Sequence, residues 1–102
     1  MNITAGKFKG QKVTAPDETI TRPTLSKVRM AVFNTLQALI DFEGASFLDM
    51  FAGSGIMGLE ALSRGFKHVV AIEKNPKVYN ILLNNYKTLK VKPNILKGDS
   101  LK

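Results

Sequence analysis

The chain has no cysteine, no tryptophan and a single histidine. It can therefore form no disulfide and no thiolate metal site, and one imidazole does not make a histidine cage, so no metal is expected. Acidic residues are scarce, eight against fifteen lysines and arginines, which leaves a formal net charge of +7. Proline is sparse too: Pro16, Pro23, Pro76 and Pro93 stand alone, with no two adjacent. No apolar run approaches the length that spans a bilayer, and residues 1–10 lack the pattern of a signal peptide. The expected location is the cytoplasm, with no membrane partner.

The 102 residues correspond by length to one domain with a modest core, and the 44% hydrophobic and 23% charged fractions are those of a globular protein. The positive charge is uneven. Up to Arg29 there are six bases (Lys7, Lys9, Lys12, Arg22, Lys27, Arg29) against Asp17 and Glu18, a balance of +4. A basic N-terminal third suggests a polyanionic partner, although a lysine-rich solvated surface accounts for charge alone equally well.

The most informative stretch is 47–58, Phe-Leu-Asp-Met-Phe-Ala-Gly-Ser-Gly-Ile-Met-Gly. An apolar run carrying Asp49 breaks into Gly53, Gly55 and Gly58, and then gives way to helical spacing. This pattern predicts a buried parallel strand, a tight turn and a helix start whose free N–H groups face a polar ligand. The glycine spacing alone also fits an ordinary strand–helix turn. Glu73 follows Gly53 by twenty residues, at the end of a second apolar run, where a carboxylate can bind ribose hydroxyls. Asp49 sits where it would repel a pyrophosphate, and it suits a cationic ligand such as S-adenosylmethionine.

Along the rest of the chain, 2–5 and 11–15 are β-prone around a loop displaying Lys7, Phe8 and Lys9, which predicts a hairpin. Phe8 could stack on a base or fold onto the domain. Thr24 is a candidate cap for a helix over about 25–40, with Leu25, Val28, Val32, Leu36 and Leu39 as its buried stripe. A strand at 47–51 leads into a helix stopped by Gly65. A second strand covers 68–72, with His68 at its edge and in no catalytic role. Pro76 opens a helix with Val78, Ile81, Leu82, Tyr86 and Leu89 inward, and a third strand lies at 94–97. Right-handed crossovers place the three strands side by side with helices on the faces. The expected division is a hairpin and basic extension over 1–20, and an incomplete cofactor-binding domain over 21–102.

The run Asp-Met-Phe-Ala-Gly-Ser-Gly-Ile-Met-Gly-Leu-Glu-Ala-Leu-Ser-Arg-Gly, followed by Val-Ala-Ile-Glu-Lys-Asn, resembles the first two motifs of the class I methyltransferases. With the upstream Arg-Pro-Thr-Leu-Ser-Lys-Val-Arg-Met-Ala-Val-Phe-Asn of 22–34, it is most similar to the bacterial RsmD-type enzymes. The resemblance implies the N-terminal half of a Rossmann-like α/β fold and S-adenosyl-L-methionine as cofactor. The substrate it implies is the N2 amine of a guanine in small-subunit ribosomal RNA, free or in the assembling subunit. It assigns Arg22, Asp49, Phe51, Gly53, Ser54, Gly55, Glu73, Lys74, Asp99 and Ser100 to the cofactor. Arg22 would meet the methionine end and Asp99 the adenine amine. Lys7, Lys9, Lys12, Arg22 and Arg29 are the expected RNA contacts.

One motif of that family is missing. Its members carry Asp/Asn-Pro-Pro-aromatic after a fourth strand, and the four isolated prolines here cannot supply it. The expectation is a cofactor half without its catalytic half: inactive alone, with an open edge on its first strand that invites self-association. Other readings stay open. These are an adenine-N6 DNA methyltransferase, an NAD(P)-dependent oxidoreductase resting on the glycines and Glu73, and a non-catalytic RNA-binding module.

Overall fold

The computed structural model describes residues 2–14, 23–49, 55–92 and 94–97. Helix α1 (Pro23–Leu39) leads through a short 3₁₀ turn at Phe42–Gly44 into β1 (Ser46–Asp49), α2 (Ile56–Arg64), β2 (His68–Glu73), α3 (Pro76–Thr88) and β3 (Ile95–Lys97). The strands form one parallel sheet in the order β1-β2-β3, with Phe47 opposite Val69, and Ala71 opposite both Asp49 and Ile95. The α/β architecture and the neighbouring strands agree with the sequence reading.

Local chemistry sets most element boundaries. Asn75 caps α3, its Oδ1 accepting from the backbone N–H of Lys77 at 2.9 Å and of Val78 at 3.2 Å, while Pro76 takes a first-turn position that needs no N–H donor. Pro23 likewise opens α1, so Thr24 lies inside the helix and does not cap it. Gly65 ends α2 in the left-handed region.

Alternation along the strands separates the two faces of the sheet. Phe47, Val69 and Ala71 point towards the helices. Ala71 shares a core with Leu59 of α2, and Leu82, Tyr86 and Leu89 of α3. A second cluster joins Phe33 of α1 to Phe42, Ala61, Phe66 and Val69, with Phe42 stacked on Phe66 at 4.1 Å between centroids. On the other face Leu48 and Leu96 are 58% and 57% exposed. Strands apolar on both faces belong to a sheet covered on both, and among the described residues α2 and α3 cover one.

Two expectations need correction. The stripe assigned to α1 is not its buried face: Val28, Val32 and Leu39 are 55%, 43% and 73% exposed. The side chain of Leu25 lies outside the described residues, and Leu36 is half-buried. The inward face instead carries Arg29 and Phe33, which pack beside the stripe; α1 is apolar on more than one side, and helical spacing alone does not say which side meets the core.

The N-terminal segment is also less regular than a hairpin. Its arms meet through one antiparallel bridge, Asn2 to Lys12, plus the bonds Ile3 N–H to Gln11 O at 3.0 Å and Gly10 N–H to Ile3 O at 2.8 Å. Ala15 lies outside the described residues. Other polar groups of the segment are turned onto the helices, making it a strap whose Ile3 and Val13 enter the core. Gly6 has φ +84°, and a Cβ there would run into the Ser63 carbonyl, so only glycine lets the strap lie this close to α2.

Candidate functional site

The three parallel strands end on one edge of the sheet, the edge at which open α/β sheets bind ligands. β1 ends at Asp49, and the chain next enters the described structure at Gly55. There a φ of +87° turns it into α2. A Cβ on Gly55 would collide with Leu82, so only glycine lets the turn press this closely onto α3. The α2 N-terminus then follows, its N-cap Gly55 supplying no side-chain cap. β2 ends at Glu73, one strand away from Asp49 and two register positions further out. Its Oε2 accepts from the Asn75 N–H at 3.0 Å, which ties the carboxylate to the start of α3. Two carboxylates thus flank a glycine turn at the ends of adjacent strands.

Beneath this edge lies Tyr86, which the apolar face of α3 marks as core. It is buried, but its hydroxyl has no hydrogen-bond partner among the described residues. Burial, and then the charge of Asp49, push its pKa up to about 12.

A second polar centre lies away from the edge. Glu60 of α2 is fully buried and accepts four hydrogen bonds. Oε1 receives Thr4 N–H at 3.0 Å and Arg29 Nε at 3.1 Å; Oε2 receives Thr4 Oγ1 and Arg64 Nε, both at 2.8 Å. Arg29 also donates to the Asn2 carbonyl at 2.7 Å, and Arg64 to Asn34 Oδ1 at 2.8 Å. The centre clamps the strap and α1 onto α2.

The expected site residues therefore divide. Asp49, Gly55 and Glu73 come together, and Lys74 is exposed just beyond Glu73. Arg22, Phe51, Gly53, Ser54, Asp99 and Ser100 lie outside the described residues. Lys7, Lys9 and Lys12 are exposed on the strap, with the Lys7 ammonium 5.2 Å above the Phe8 ring. Phe8 itself is half-buried against the core. Arg29 is a correction: it is buried in its ion pair with Glu60 and does not present its charge at the surface. Sequence reasoning missed Tyr86 and the Glu60 centre. The four-residue spacing of Glu60 and Arg64 on one helix was the available signal.

Sheet, crossover helices and carboxylate-flanked turn define a class: a Rossmann-like α/β unit of the class I methyltransferase kind. Residues 1–102 match in full the family described as Conserved hypothetical protein 95, and the chain belongs to that family. It is 42% identical over 90 residues to Ribosomal RNA small subunit methyltransferase D of Escherichia coli K12, and 40% identical over 90 residues to the protein of that name from Haemophilus influenzae. Those matches cover 88% of this chain and 44% and 46% of the relatives, so the chain spans somewhat under half their length. The solved structure titled "Putative methyltransferase yhhF from Escherichia coli" superposes with a TM-score of 0.84 at 33% identity, over 99% of this chain and 53% of that one. Among the described residues no helix is long and apolar enough to cross a membrane.

Proposed function

We infer that this chain is the cofactor-binding half of an S-adenosylmethionine-dependent methyltransferase acting on the exocyclic N2 amine of a guanine in small-subunit ribosomal RNA. The observation that carries the reading is the pair Asp49 and Glu73 at the ends of adjacent strands, on either side of the Gly55 turn. Their chemistry fits the ligand. Glu73 can accept from two ribose hydroxyls, Asp49 can hold a cationic amine, and the Gly55 turn, pressed onto α3, sets the α2 N-terminus between them. The bound cofactor supplies an electrophilic methyl group. The protein's part is to fix the ligand's orientation, and an amine lone pair aligned with the methyl group needs no strong base. Asp49 disfavours a dinucleotide, whose pyrophosphate would meet that carboxylate.

The relatives' length and the exposed faces support the proposal that a second half completes the enzyme. That half would cover Leu48, Leu96 and the outer side of α1, and supply the groups that hold the base. Without it, the chain would self-associate through the side of β1 that pairs with no other described strand.

Calorimetric titration tests the ligand. S-adenosylhomocysteine should bind and NAD should not, and Glu73→Ala should weaken binding by about 1.5–3 kcal/mol, the scale of hydrogen bonds to a charged group. NAD binding more tightly than S-adenosylhomocysteine would overturn the reading. For the substrate, the full-length protein should transfer labelled methyl to a small-subunit RNA, and replacing the target guanine by inosine, which lacks the 2-amino group, should abolish transfer.

A further inference from the structure

Helix α3 runs back from the ligand edge, about 20 Å at 1.5 Å per residue, so its last turns lie towards the edge where the strands begin. The strap docks at this far end. Thr14 exchanges two 2.9 Å hydrogen bonds with the Asn85 side chain, and the Lys7 and Phe8 N–H groups donate to Ser63, near the end of α2. Val13 of the strap and Leu89 at the end of α3 are buried in one core cluster, and Val91 packs against it. Each of these apolar residues has an exposed lysine beside it in the chain: Lys12 before Val13, Lys90 between Leu89 and Val91, and Lys92 after Val91. Lys87, in the last turn of α3, is exposed as well. Residues 74–97 hold six lysines and no acid, so no carboxylate of this stretch offsets them.

Lys90 carries a second, independent feature. Its φ is +57°, the one positive value at a residue other than glycine among the described residues. It closes α3: its N–H donates to the Lys87 carbonyl at 2.9 Å, and the Val91 N–H reaches back to the Tyr86 carbonyl at 3.0 Å. Glycine takes this position after a helix without strain, whereas a side chain is held there at a cost. A cation near a helix C-terminus is favourable in itself, but Lys87 already supplies one from an unstrained position. A strained residue with an exposed side chain points to use of that side chain.

We propose that Lys87, Lys90 and Lys92, bordered by Lys12 of the strap, form a phosphate-docking surface for a duplex flank of the RNA substrate, at the other end of α3 from the methyl-donor edge. This rests on the ribosomal RNA reading and adds where a second part of that RNA is held. A duplex presents phosphates along its whole surface, and lysines can hold them without reading a base. To lie on both ends at once, the RNA must extend well beyond the target guanine.

The test measures binding of the full-length protein to two RNAs. One is a minimal stem-loop around the guanine that accepts labelled methyl; the other is a longer fragment that keeps the flanking helices. Lys90→Gly should weaken the longer fragment about five- to eight-fold at 0.1 M salt, the share of one phosphate contact at a slope of 0.7–0.9 counted from 1 M. It should leave the minimal stem-loop unchanged. Because glycine relieves the strain, the variant should melt no lower than the parent, which separates lost contact from lost fold. Lys90→Arg, which keeps the charge, should bind both RNAs as the parent does, and Lys92→Gln should repeat the selective loss. Unchanged binding of the longer fragment by both neutral variants, or equal weakening of the two RNAs, overturns the inference while the ribosomal RNA reading stands. If the unmodified protein binds neither RNA and transfers no methyl to them, that reading falls and this inference with it.

Discussion

Glu60 is the residue that joins three parts of the chain: the strap, α1 and α2. A buried carboxylate is costly unless its lone pairs are filled, and here two arginines and Thr4 fill them. Burial alone would raise its pKa, but the hydrogen bonds from Arg64, Thr4 and Arg29 outweigh that and hold it below the ordinary 4.5. Because the folded value is the depressed one, the ionised glutamate stabilises the protein fully above the ordinary value, and this contribution is lost as pH falls through the folded value. Glu60→Gln should cost about 3–5 kcal/mol in urea denaturation at neutral pH, since it leaves two buried guanidinium groups short of a partner charge. The variant should also show less acid sensitivity below pH 4.5 than the parent. Only half of this centre was legible beforehand. Arg64 stands one helical turn from Glu60, whereas Arg29 is 31 positions away, and the arginine's place in a basic third pointed outward to RNA.

At the scale of elements, the sheet and its crossovers were readable because their signals are local: β-branched runs, glycine at the breaks, and asparagine with proline at the start of α3. The face of α1 and the form of the N-terminal segment were not, because each is decided by partners distant in sequence. Phe33 turns inward to Phe47 and Phe66, and the strap gives up strand pairing for bonds to α2 and α3. The carboxylates of the candidate site were legible, Asp49 as the one charge within an apolar run and Glu73 at the end of another; the Tyr86 hydroxyl was hidden, because apolar spacing gives no hint that it has no partner among the described residues. The strap still exposes Lys7, Lys9 and Lys12, so it remains the best candidate for a phosphate-facing surface. Replacing all three by glutamine should flatten the salt dependence of ribosomal RNA binding, lowering the slope of log K against log salt by about 0.7–0.9 for each phosphate no longer neutralised. Binding measured across a salt series gives the slope directly, and an unchanged slope would show that the strap faces elsewhere.

Across the whole molecule, apolar surface is left over. Leu48 and Leu96 stand out from one sheet face, Val28, Val32 and Leu39 from α1, and β1 is hydrogen-bonded to a neighbouring strand on one side. A strand edge left unpaired among the described strands, beside apolar surface, favours pairing with another chain. The 102-residue chain should therefore sediment as a concentration-dependent oligomer at micromolar concentration, and a version extended to the length of its relatives should sediment as a smaller species relative to its mass. A stable monomer of the short chain would show that these faces need no cover.

The bonds that fasten the strap span 56 residues from Thr4 to Glu60 and 71 from Thr14 to Asn85. On a ribosome the strap is made before the helices it docks on, and its docking surface does not exist until α3 has been made. At about 5–20 residues per second, closing the longer span takes roughly 4–14 s of synthesis. For those seconds the strap is a basic segment without its anchoring bonds, held beside a polyanion, the ribosome's own RNA.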